Sequence, residues 1–405
     1  MENSLYTDPS AMTPLFPEDD ASLKELVITL IKKSSALSNA LHPTTRNAIA
    51  RLIEPMNSYY SNLIEGHNTH PIDIEKALNK DYSQDPQMKL LQLESFAHVK
   101  TQKLMKERLI GSENICSADF IKWLHLEFYK GMPAEFHQSK DIDGTIIDII
   151  PGKFRTREVK VGVHIGPSYS SLDHFMTMFT DGYNPEKISD SVKRIIAIAS
   201  SHHRLAWIHP FLDGNGRVIR LYSEALFIKE NLDASGLWSI SRGLANRNKD
   251  YYSFLHNADL ERQGDNDGRG NLSNKFLHQF CVFFLETALD QINFMTELLE
   301  IDSVIERISN YIDLMTVRKV FKFEAKYILQ EAFLKGKITR GDAMRLTGKK
   351  EFSARAIMKD LMKEGLLVEK LGDEKWNLYI NFPVKVAPYL FPKLYPTEIE
   401  ATLVE

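Results

Sequence analysis

The stretch from His209 to Arg217 reads HPFLDGNGR and is followed by VIR, which ends at Arg220. It places a histidine, an acid, two glycines and two arginines within twelve positions, and each of these residue types suits the handling of phosphate groups. Gly214 and Gly216 lack Cβ atoms, so the backbone there can adopt positive φ and approach a phosphate closely. A helix that begins at about Asn215 adds unpaired N–H groups and the positive end of its dipole. The stretch therefore predicts an anion-binding turn that leads into a helix.

The charged residues of this stretch sharpen the prediction. Arg217 and Arg220 share one helix face. The helix dipole opposes each cation in a first turn by about 0.3–1 kcal/mol. This unfavourable placement indicates that the two arginines bind an anion such as a polyphosphate. Asp213 is a hard oxygen ligand that suits a magnesium ion shared with phosphates. His209, with an ordinary imidazole pKa of about 6.5, can accept a proton from an attacking hydroxyl. The chain is not a P-loop protein of the usual kind, because no Gly-Lys-Ser/Thr follows the glycines.

Length and composition set the frame for this chemistry. The chain has 405 residues, enough for two or three domains with cores of their own. No apolar stretch approaches the roughly 20 residues of a membrane span, and the first residues resemble no secretory signal, so we expect a cytoplasmic protein without a membrane partner. Cys116 and Cys281 are too few for a disulfide framework or a zinc site, and we expect both in the core.

The periodicity of apolar residues predicts a mainly α-helical fold. Helices are expected from Ala21, from Thr44 or Thr45 to Gly66 with a bend or restart at Pro55, and from Pro71. Residues 142–169 mix β-branched residues with glycine and proline, which predicts one β-hairpin with irregular flanks. Helical patterns return after this segment and continue to about residue 298.

A different organisation follows residue 301. Two helical runs, a third helix from Phe352 to Glu364 and two short strands around a Gly-Asp turn have the order of a winged helix-turn-helix, with Thr339 as the cap of the middle helix. Between Arg318 and Lys363 the chain has thirteen Lys or Arg against five Asp or Glu. This excess makes DNA a possible partner. A protein-protein or dimerisation module with a solvated basic face is slightly favoured, because no base-reading side chains can be identified in the sequence. We expect an N-terminal helical region at 1–110, a central domain at 111–300 and a winged-helix domain at 301–385.

The string IHPFLDGNGRVIR resembles throughout the signature of the Fic family, whose pattern is HPFx, Asp or Glu, then GNGRxxR. The resemblance implies a helical Fic-type core with a β-hairpin flap and transfer of AMP from ATP to a protein hydroxyl, with release of pyrophosphate. It also implies that His209 is the general base, that Asp213 holds magnesium and that Phe211 anchors the loop, while His203 matches a histidine common in the preceding helix. The phosphates would be bound by Gly214, Asn215, Gly216 and Arg217.

Two further segments extend the resemblance. The segment with Val161, Gly162, Val163 and His164 is similar to the family's flap, which adds a target segment by strand augmentation and covers the nucleotide. The segment KDYYSFL is similar to the part that lines the adenine side, which implies nucleotide contacts for Tyr251 and Tyr252.

A third segment, Ser61 to Gly66, reads SNLIEG. Glu65 lies in the last turn of a helix that Gly66 ends, where a carboxylate meets the negative end of the dipole and therefore needs a cation. Beside the signature, the string resembles the family's inhibitory motif. The resemblance implies that Glu65 pairs with Arg220 at the edge of the nucleotide site and keeps it from the γ-phosphate, and that Ser61 orients Glu65 by a hydrogen bond.

The sequence thus predicts a protein adenylyltransferase that uses ATP and Mg²⁺, modifies a Ser, Thr or Tyr of a target protein bound at the flap, and is held off by its own Glu65. The chain itself is a possible target, and a homodimer is possible. Three alternatives stay open: a transferase of another nucleotide or of phosphocholine, a hydrolase that removes AMP with Glu65 as base, and a DNA-binding regulator with a vestigial core. The intact set of His209, Asp213, Arg217 and Arg220 disfavours a vestigial core.

Overall fold

A computed structural model describes residues 6–18, 20–111, 113–140, 144–370, 372–373 and 377–394. Helices dominate these residues, and strands are few and short, as the sequence predicts. Within the described ranges, no helix combines the length and apolar character that a membrane crossing requires.

The helices and strands follow in chain order. The first half of the chain contains α1 (Ala21–Asn39), α2 (Pro43–Ile64), α3 (Pro71–Leu78), α4 (Pro86–Arg108), α5 (Ala118–Lys130), β1 (Gln138–Lys140), β2 (Ile146–Asp148), β3 (Lys160–Val161), β4 (His164–Ile165), α6 (Leu172–Tyr183) and α7 (Ser191–Ile208). The second half contains α8 (Asn215–Lys229), α9 (Ile240–Asn246), α10 (Asn248–Ala258), α11 (Asn274–Leu298), α12 (Ile301–Val317), α13 (Ala325–Lys335), β5 (Lys337–Ile338), α14 (Arg340–Thr347), α15 (Glu351–Lys363), β6 (Leu367–Glu369), β7 (Leu378–Ile380) and α16 (Ala387–Leu390).

Helix α2 is one helix through Pro55, so the expected restart at this proline is wrong. A proline inside a helix leaves the carbonyl four residues earlier without its N–H donor. Here that carbonyl belongs to Arg51, which is exposed, so water can satisfy it. The helix ends as predicted: Glu65 is the C-cap, and Gly66 adopts a φ of +84°.

The region expected to form one β-hairpin forms two separate antiparallel pairs instead. Strand β1 pairs with β2, and β3 pairs with β4. The turn at Pro151 and Gly152 separates the pairs, because Gly152 adopts a φ of +73° and its N–H donates to His125 Nδ1 at 2.9 Å. Only the second pair contains the predicted flap.

The centre of the core is formed by α7 and α8, which pack on each other, with α11 behind α7 and α1 on α11. The residues of α7 from Ile195 onward are almost all buried, including the polar run from Ser200 to Arg204, so this helix is enclosed by protein on every face. Residues 209–214 link α7 to α8, and α8 begins at Asn215 as predicted. Cys116 and Cys281 are free and buried, which confirms their expected place in the core.

The C-terminal elements comprise three helices, α13 to α15, and an antiparallel sheet in the order β5-β7-β6. Thr339 caps α14 with a complete capping box, and α15 begins and ends one residue before the predicted bounds. These elements contact α2 directly: Thr45 Oγ1 donates to the carbonyl of Phe333 at 2.6 Å, and the Tyr60 hydroxyl donates to that of Leu394 at 3.0 Å.

Candidate active site

His209 lies at the C-terminal end of α7, where it adopts a left-handed conformation with a φ of +49°. Its N–H still donates to the carbonyl of Leu205 at 3.1 Å, so the residue closes the last turn of the helix. The side chain is partly exposed and lines two adjoining cavities. Burial lowers the pKa of His209 to about 4, and the positive charge of Arg155 acts in the same direction. The imidazole is therefore neutral at physiological pH, which is the form a general base needs.

The loop after His209 is held by its own residues. Phe211 is buried, as the resemblance implies, and its ring stacks on His125 with centroids 4.0 Å apart. The side chain of Asn215 accepts from the Phe211 N–H at 3.0 Å and donates to the Phe211 carbonyl at 2.8 Å. The side-chain amide of Asn215 therefore stabilises the loop. A phosphate contact from this residue would have to come from its backbone N–H.

Each glycine at the start of α8 has a close neighbour. Gly214 is the N-cap with a φ of +77°, and a Cβ there would lie 2.7 Å from Tyr129 Cε2. A Cβ on Gly216 would overlap Glu65 Oε1. The absence of a Cβ at Gly214 thus leaves room for Tyr129, and its absence at Gly216 leaves room for Glu65.

Asp213 presents a partly solvated carboxylate beside this turn, with a side chain that is 47% exposed. The Tyr129 hydroxyl donates to Oδ2 at 2.9 Å, and Arg217 Nη2 lies 3.4 Å from the same oxygen. Burial alone would raise the pKa of Asp213, but Arg217 outweighs it and the pKa is lowered, so the group is ionised at neutral pH. Among the described residues, no three potential metal ligands cluster together. A magnesium ion held here would therefore share Asp213 with phosphate oxygens, which is the usual donor set for Mg²⁺ beside a nucleotide.

Arg217 is buried behind the cavities and lines neither of them. Its guanidinium forms an ion pair with Glu94 of α4, which is fully buried, and this position explains why Arg217 is not at the cavity surface. Glu94 also accepts from His67 Nδ1 at 2.7 Å, which raises the pKa of His67. The sequence analysis did not identify Glu94 as a site residue, because its partner Arg217 is 123 positions away in the chain. The signal available was an acidic residue within a helix whose neighbouring positions are largely buried.

Arg220 is buried and paired with α2, as the resemblance implies. Its Nη2 donates to Glu65 Oε1 at 2.6 Å and to the Ser61 carbonyl at 2.9 Å. Burial alone would raise the pKa of Glu65, but Arg220 and then Arg217 hold it below its usual value. The expected bond from Ser61 to Glu65 is wrong: the Ser61 hydroxyl accepts from Arg220 Nε at 3.0 Å, because the guanidinium lies between α2 and α8 with its donors toward the serine.

The same face of α2 is anchored one turn earlier. Asn57 Nδ2 donates to Glu224 Oε2 at 2.7 Å, and Gln102 of α4 donates to the other oxygen of Glu224 at 2.6 Å. Residues 57, 61 and 65 of α2 thus face residues 224, 220 and 216 of α8 in antiparallel order.

The predicted flap is the short hairpin of β3 and β4. Gly162 adopts a φ of +61° in its turn, and the side chains of Val161 and Val163 are exposed, at 47% and 72%. His164 Nε2 donates to the carbonyl of Trp207 at 2.8 Å and Nδ1 lies 3.6 Å from Asp259, so the hairpin is fixed to the end of α7.

Two adjoining cavities bring most of the predicted residues together. The first, of about 300 Å³, is polar and is lined by Glu65, Ser139, Val159, Lys160, Val161, His209, Leu212, Asp213, Gly214, Asn215 and Gly216. The second, of about 210 Å³, is more apolar and is lined by Glu65, Val161, Val163, His164, Ala206, His209, Asn215, Gly216, Ile219, Arg220, Tyr251, Tyr252, Leu255, His256 and Asp259. His209 and Glu65 border both, so they lie where the two chambers meet. Ser139 and Lys160, in the polar chamber, were not anticipated.

The two tyrosines differ in their roles. Tyr251 is buried and its hydroxyl is bonded to His202 Nε2 at 2.8 Å, whereas Tyr252 is half-exposed and donates to the carbonyl of Ile64 at 3.2 Å. His203 is buried behind the same chamber, where Nε2 lies 3.1 Å from the Leu255 carbonyl and 3.2 Å from Asp259 Oδ1. The chamber thus has an aromatic wall and an acidic rear edge.

Comparison with known proteins agrees with this geometry. Residues 117–226 match the model of the Fic/DOC family, and the matched segment includes the signature from His209 to Arg220. The chain is 35% identical over 122 residues to the protein adenylyltransferase Fic of Drosophila willistoni, which covers 30% of the chain and 22% of that protein. It is 28% identical over 202 residues to the protein of the same name from Nematostella vectensis, which covers 49% of the chain and 42% of the relative. The chain thus spans less than half the length of these relatives.

Solved structures share the fold. A Fic family protein from Desulfovibrio desulfuricans G20 superposes with a TM-score of 0.52 at 15% identity, over 90% of this chain and 98% of that one. Fic-1 from C. elegans, residues 134–508, gives a TM-score of 0.52 at 16% identity, over 69% of this chain and 73% of that one.

Proposed function

We propose that the protein is an adenylyltransferase that moves AMP from ATP to a hydroxyl of a Ser, Thr or Tyr in a target protein. The observation that carries the proposal is the position of His209 at the junction of a polar chamber and an aromatic chamber. Phosphates fit beside Asp213 and the first turn of α8, and a nucleobase fits against Tyr252 and the apolar wall. The relatives named protein adenylyltransferase Fic support the same activity.

In this proposal the hydroxyl oxygen of the target attacks the α-phosphorus, its proton passes to the neutral imidazole of His209, and the bond to the bridging oxygen breaks to release pyrophosphate. Magnesium, when bound at Asp213, would neutralise charge on the phosphates. The N–H groups at the start of α8 and the fixed loop hold the phosphates in place, so the chain mainly supplies position and charge.

We also propose that Glu65 inhibits this reaction. Arg220 pairs with the carboxylate of Glu65, and it lines the same chamber that would hold the nucleotide. A γ-phosphate and Glu65 would compete for that guanidinium, so ATP would bind in a pose unsuited to transfer while the pair persists.

The test of the transfer reaction uses ATP labelled at either the α or the γ phosphate. Label from the α position is expected on proteins of a lysate or on the chain itself, whereas γ label is not. His209→Ala should abolish transfer and retain ATP binding, while His174→Ala, an exposed histidine on α6, should leave transfer unchanged. Full transfer by His209→Ala, or transfer of γ label, would contradict the proposal.

The same assay separates the related alternatives. Labelled GTP, CTP and a phosphocholine donor test whether another group is moved. Release of AMP from a modified target, in the presence of Mg²⁺ and absence of ATP, tests a hydrolase. Size-exclusion chromatography with light scattering tests the homodimer.

A second candidate function, DNA binding, is favoured by one face of α15. We propose that α13 to α15 and the sheet are a winged helix whose third helix presents a stripe of exposed or partly exposed side chains: Phe352, Arg355, Lys359 and Lys363. Lys349 and Lys350 precede its first turn. Arg355 is offset by Glu351 at 3.6 Å, so the lysines carry most of the free charge of the stripe.

The test is retention of a random DNA duplex measured by fluorescence anisotropy at several salt concentrations. Binding should weaken steeply with salt, and Lys359→Glu with Lys363→Glu should remove it, whereas Lys32→Glu on α1 should not. Absence of binding at low salt would leave the C-terminal elements as a protein-binding module.

A further inference from the structure

The end of α7 is capped by another segment of the chain. The last carbonyls of a helix have no intrahelical donors and must be satisfied elsewhere. Here the carbonyl of Trp207 accepts from His164, that of Ile208 lies 3.5 Å from Arg155 Nη2, and that of His209 accepts from Arg155 Nε at 2.9 Å. Both donors belong to the region that forms the flap, since Arg155 precedes β3 and His164 begins β4.

Arg155 also holds the flap from within. Its Nη2 donates to the carbonyl of Pro167, just after β4, and Nη1 donates to that of Arg157, just before β3, at 2.9 Å. Its backbone N–H donates to the carbonyl of Pro210 at 2.9 Å. This one residue, only 3% exposed, thus joins both edges of the flap to Ile208 and His209 through its side chain and to Pro210 through its backbone.

The contacts suit arginine and no other residue type. The guanidinium has five N–H donors in a rigid fork, enough to reach several carbonyls at once, whereas an ammonium is a point donor on a flexible stem. A cation is also favoured at the negative end of a helix dipole. Gly166 provides the room, because a Cβ there would lie 3.0 Å from Arg155 Nη2.

His209 needs such support. A residue other than glycine with a φ of +49° is in a sparsely populated region, and it stays there only when its surroundings fix it. Of the two carbonyls at the end of α7 that the Arg155 side chain reaches, that of His209 is the nearer, at 2.9 Å against 3.5 Å for Ile208. The same guanidinium therefore holds both the backbone of His209 and the two edges of the flap.

We propose that Arg155 is a positioning residue that fixes His209 relative to the flap, so that a hydroxyl delivered along the flap meets the imidazole at the right place. Arg155 touches neither chamber and would not contact the nucleotide. The inference rests on the proposed function, because it assumes that His209 is the base and that the flap binds the target.

The test compares variants of the full chain in a Glu65→Ala background, with auto-modification by α-labelled ATP as the assay. Arg155→Met should lower kcat about 100-fold, the size of effect expected from a displacement of about 1 Å at a reacting group. The Kd for ATP should change less than about twofold, since the phosphate turn is untouched. Arg155→Lys should recover about tenfold of the loss, because it keeps the cation and one donor. Arg157→Met, an exposed arginine two residues on, is the matched control and should match the background.

Hydrogen exchange gives a second readout that needs no activity. The amides of His209 and Gly166 are bonded to the Leu205 and Val159 carbonyls, and both should exchange at least about tenfold faster in Arg155→Met and Arg155→Lys than in Arg157→Met. Unchanged exchange and unchanged kcat would overturn the inference. Loss of ATP binding together with kcat in both Arg155 variants would also overturn it, because it would show a general structural role. If the Glu65→Ala parent transfers nothing, the proposed function fails, and the exchange data alone decide whether Arg155 links His209 to the flap.

Discussion

Glu65 offers the most quantitative test of the regulatory proposal. Its carboxylate accepts one charge-assisted hydrogen bond from Arg220 at 2.6 Å and is 27% exposed, so the pair is partly shielded from water. Such a bond is worth about 1.5–3 kcal/mol, and each 1.4 kcal/mol is about tenfold in rate, so Glu65→Ala should raise transfer about 10-fold to 150-fold. Glu65→Gln keeps a neutral hydrogen bond of about 0.5–1.5 kcal/mol and should raise transfer only about tenfold.

The assay is the initial rate of auto-modification with α-labelled ATP, measured beside the Kd for ATP. Glu107→Ala, which removes an exposed glutamate from α4, is the control for loss of a negative charge and should behave as the wild type. The graded order of Ala above Gln above wild type is the signature of competition for one guanidinium. Wild-type rates in both Glu65 variants, with ATP affinity unchanged, would refute the reasoning.

Three further predictions concern the motif and its support. Because burial lowers the pKa of His209 to about 4, the rate of transfer should stay nearly constant between about pH 6 and 8 and fall only below about pH 5. A midpoint of the pH-rate profile near the ordinary histidine pKa of about 6.5 would contradict this prediction. Gly214→Ala should lower the melting temperature and abolish ATP binding. A φ of +77° costs a residue with a Cβ about 1–2 kcal/mol, and the added methyl group would lie 2.7 Å from Tyr129. Thermal melts and calorimetric titration with ATP measure the two effects. Burial raises the pKa of Glu224 above the ordinary value of a glutamate, so folding favours the protonated form and stability should decline as pH rises through the raised pKa. Urea melts of Glu224→Gln should show a flatter pH dependence of stability, and equal slopes would count against this prediction.

Local features of the chain could be predicted because their causes are local. Gly66 ends α2 and Thr339 caps α14 through bonds to residues within a few positions, and the signature around His209 forms its turn largely from its own atoms. The formation of two strand pairs between residues 138 and 165, in place of one hairpin within 142–169, could not be predicted, because it involves a bond from Gly152 to His125 on α5.

Long-range partners explain the rest of what the sequence left out. Glu94 meets Arg217, and Arg155 meets His209, only after distant helices and loops have packed, and no spacing in the chain encodes those contacts. Ser61 shows that a motif also leaves pairings undetermined. The residue lies where the motif places it, but its hydroxyl accepts a hydrogen bond from Arg220 Nε and does not bond to Glu65. A motif thus identifies the residues of a site more reliably than it identifies which of them bond to each other.

The anchoring of α2 has a consequence for the timescale of control. Asn57 and Ser61 are fixed within the helix, whereas Glu65 is the cap residue just beyond its last turn, with its N–H bonded to the Asn62 carbonyl at 3.0 Å. Separation of Glu65 from Arg220 therefore needs only rotation at the cap, while the helix stays in place and Ser61 keeps its bonds to the guanidinium. Motions of helix ends and loop residues take nanoseconds to microseconds, far shorter than a catalytic turnover. Glu65 would then set the fraction of molecules that are competent at each instant, and a change in that fraction would alter the steady rate with no lag before it.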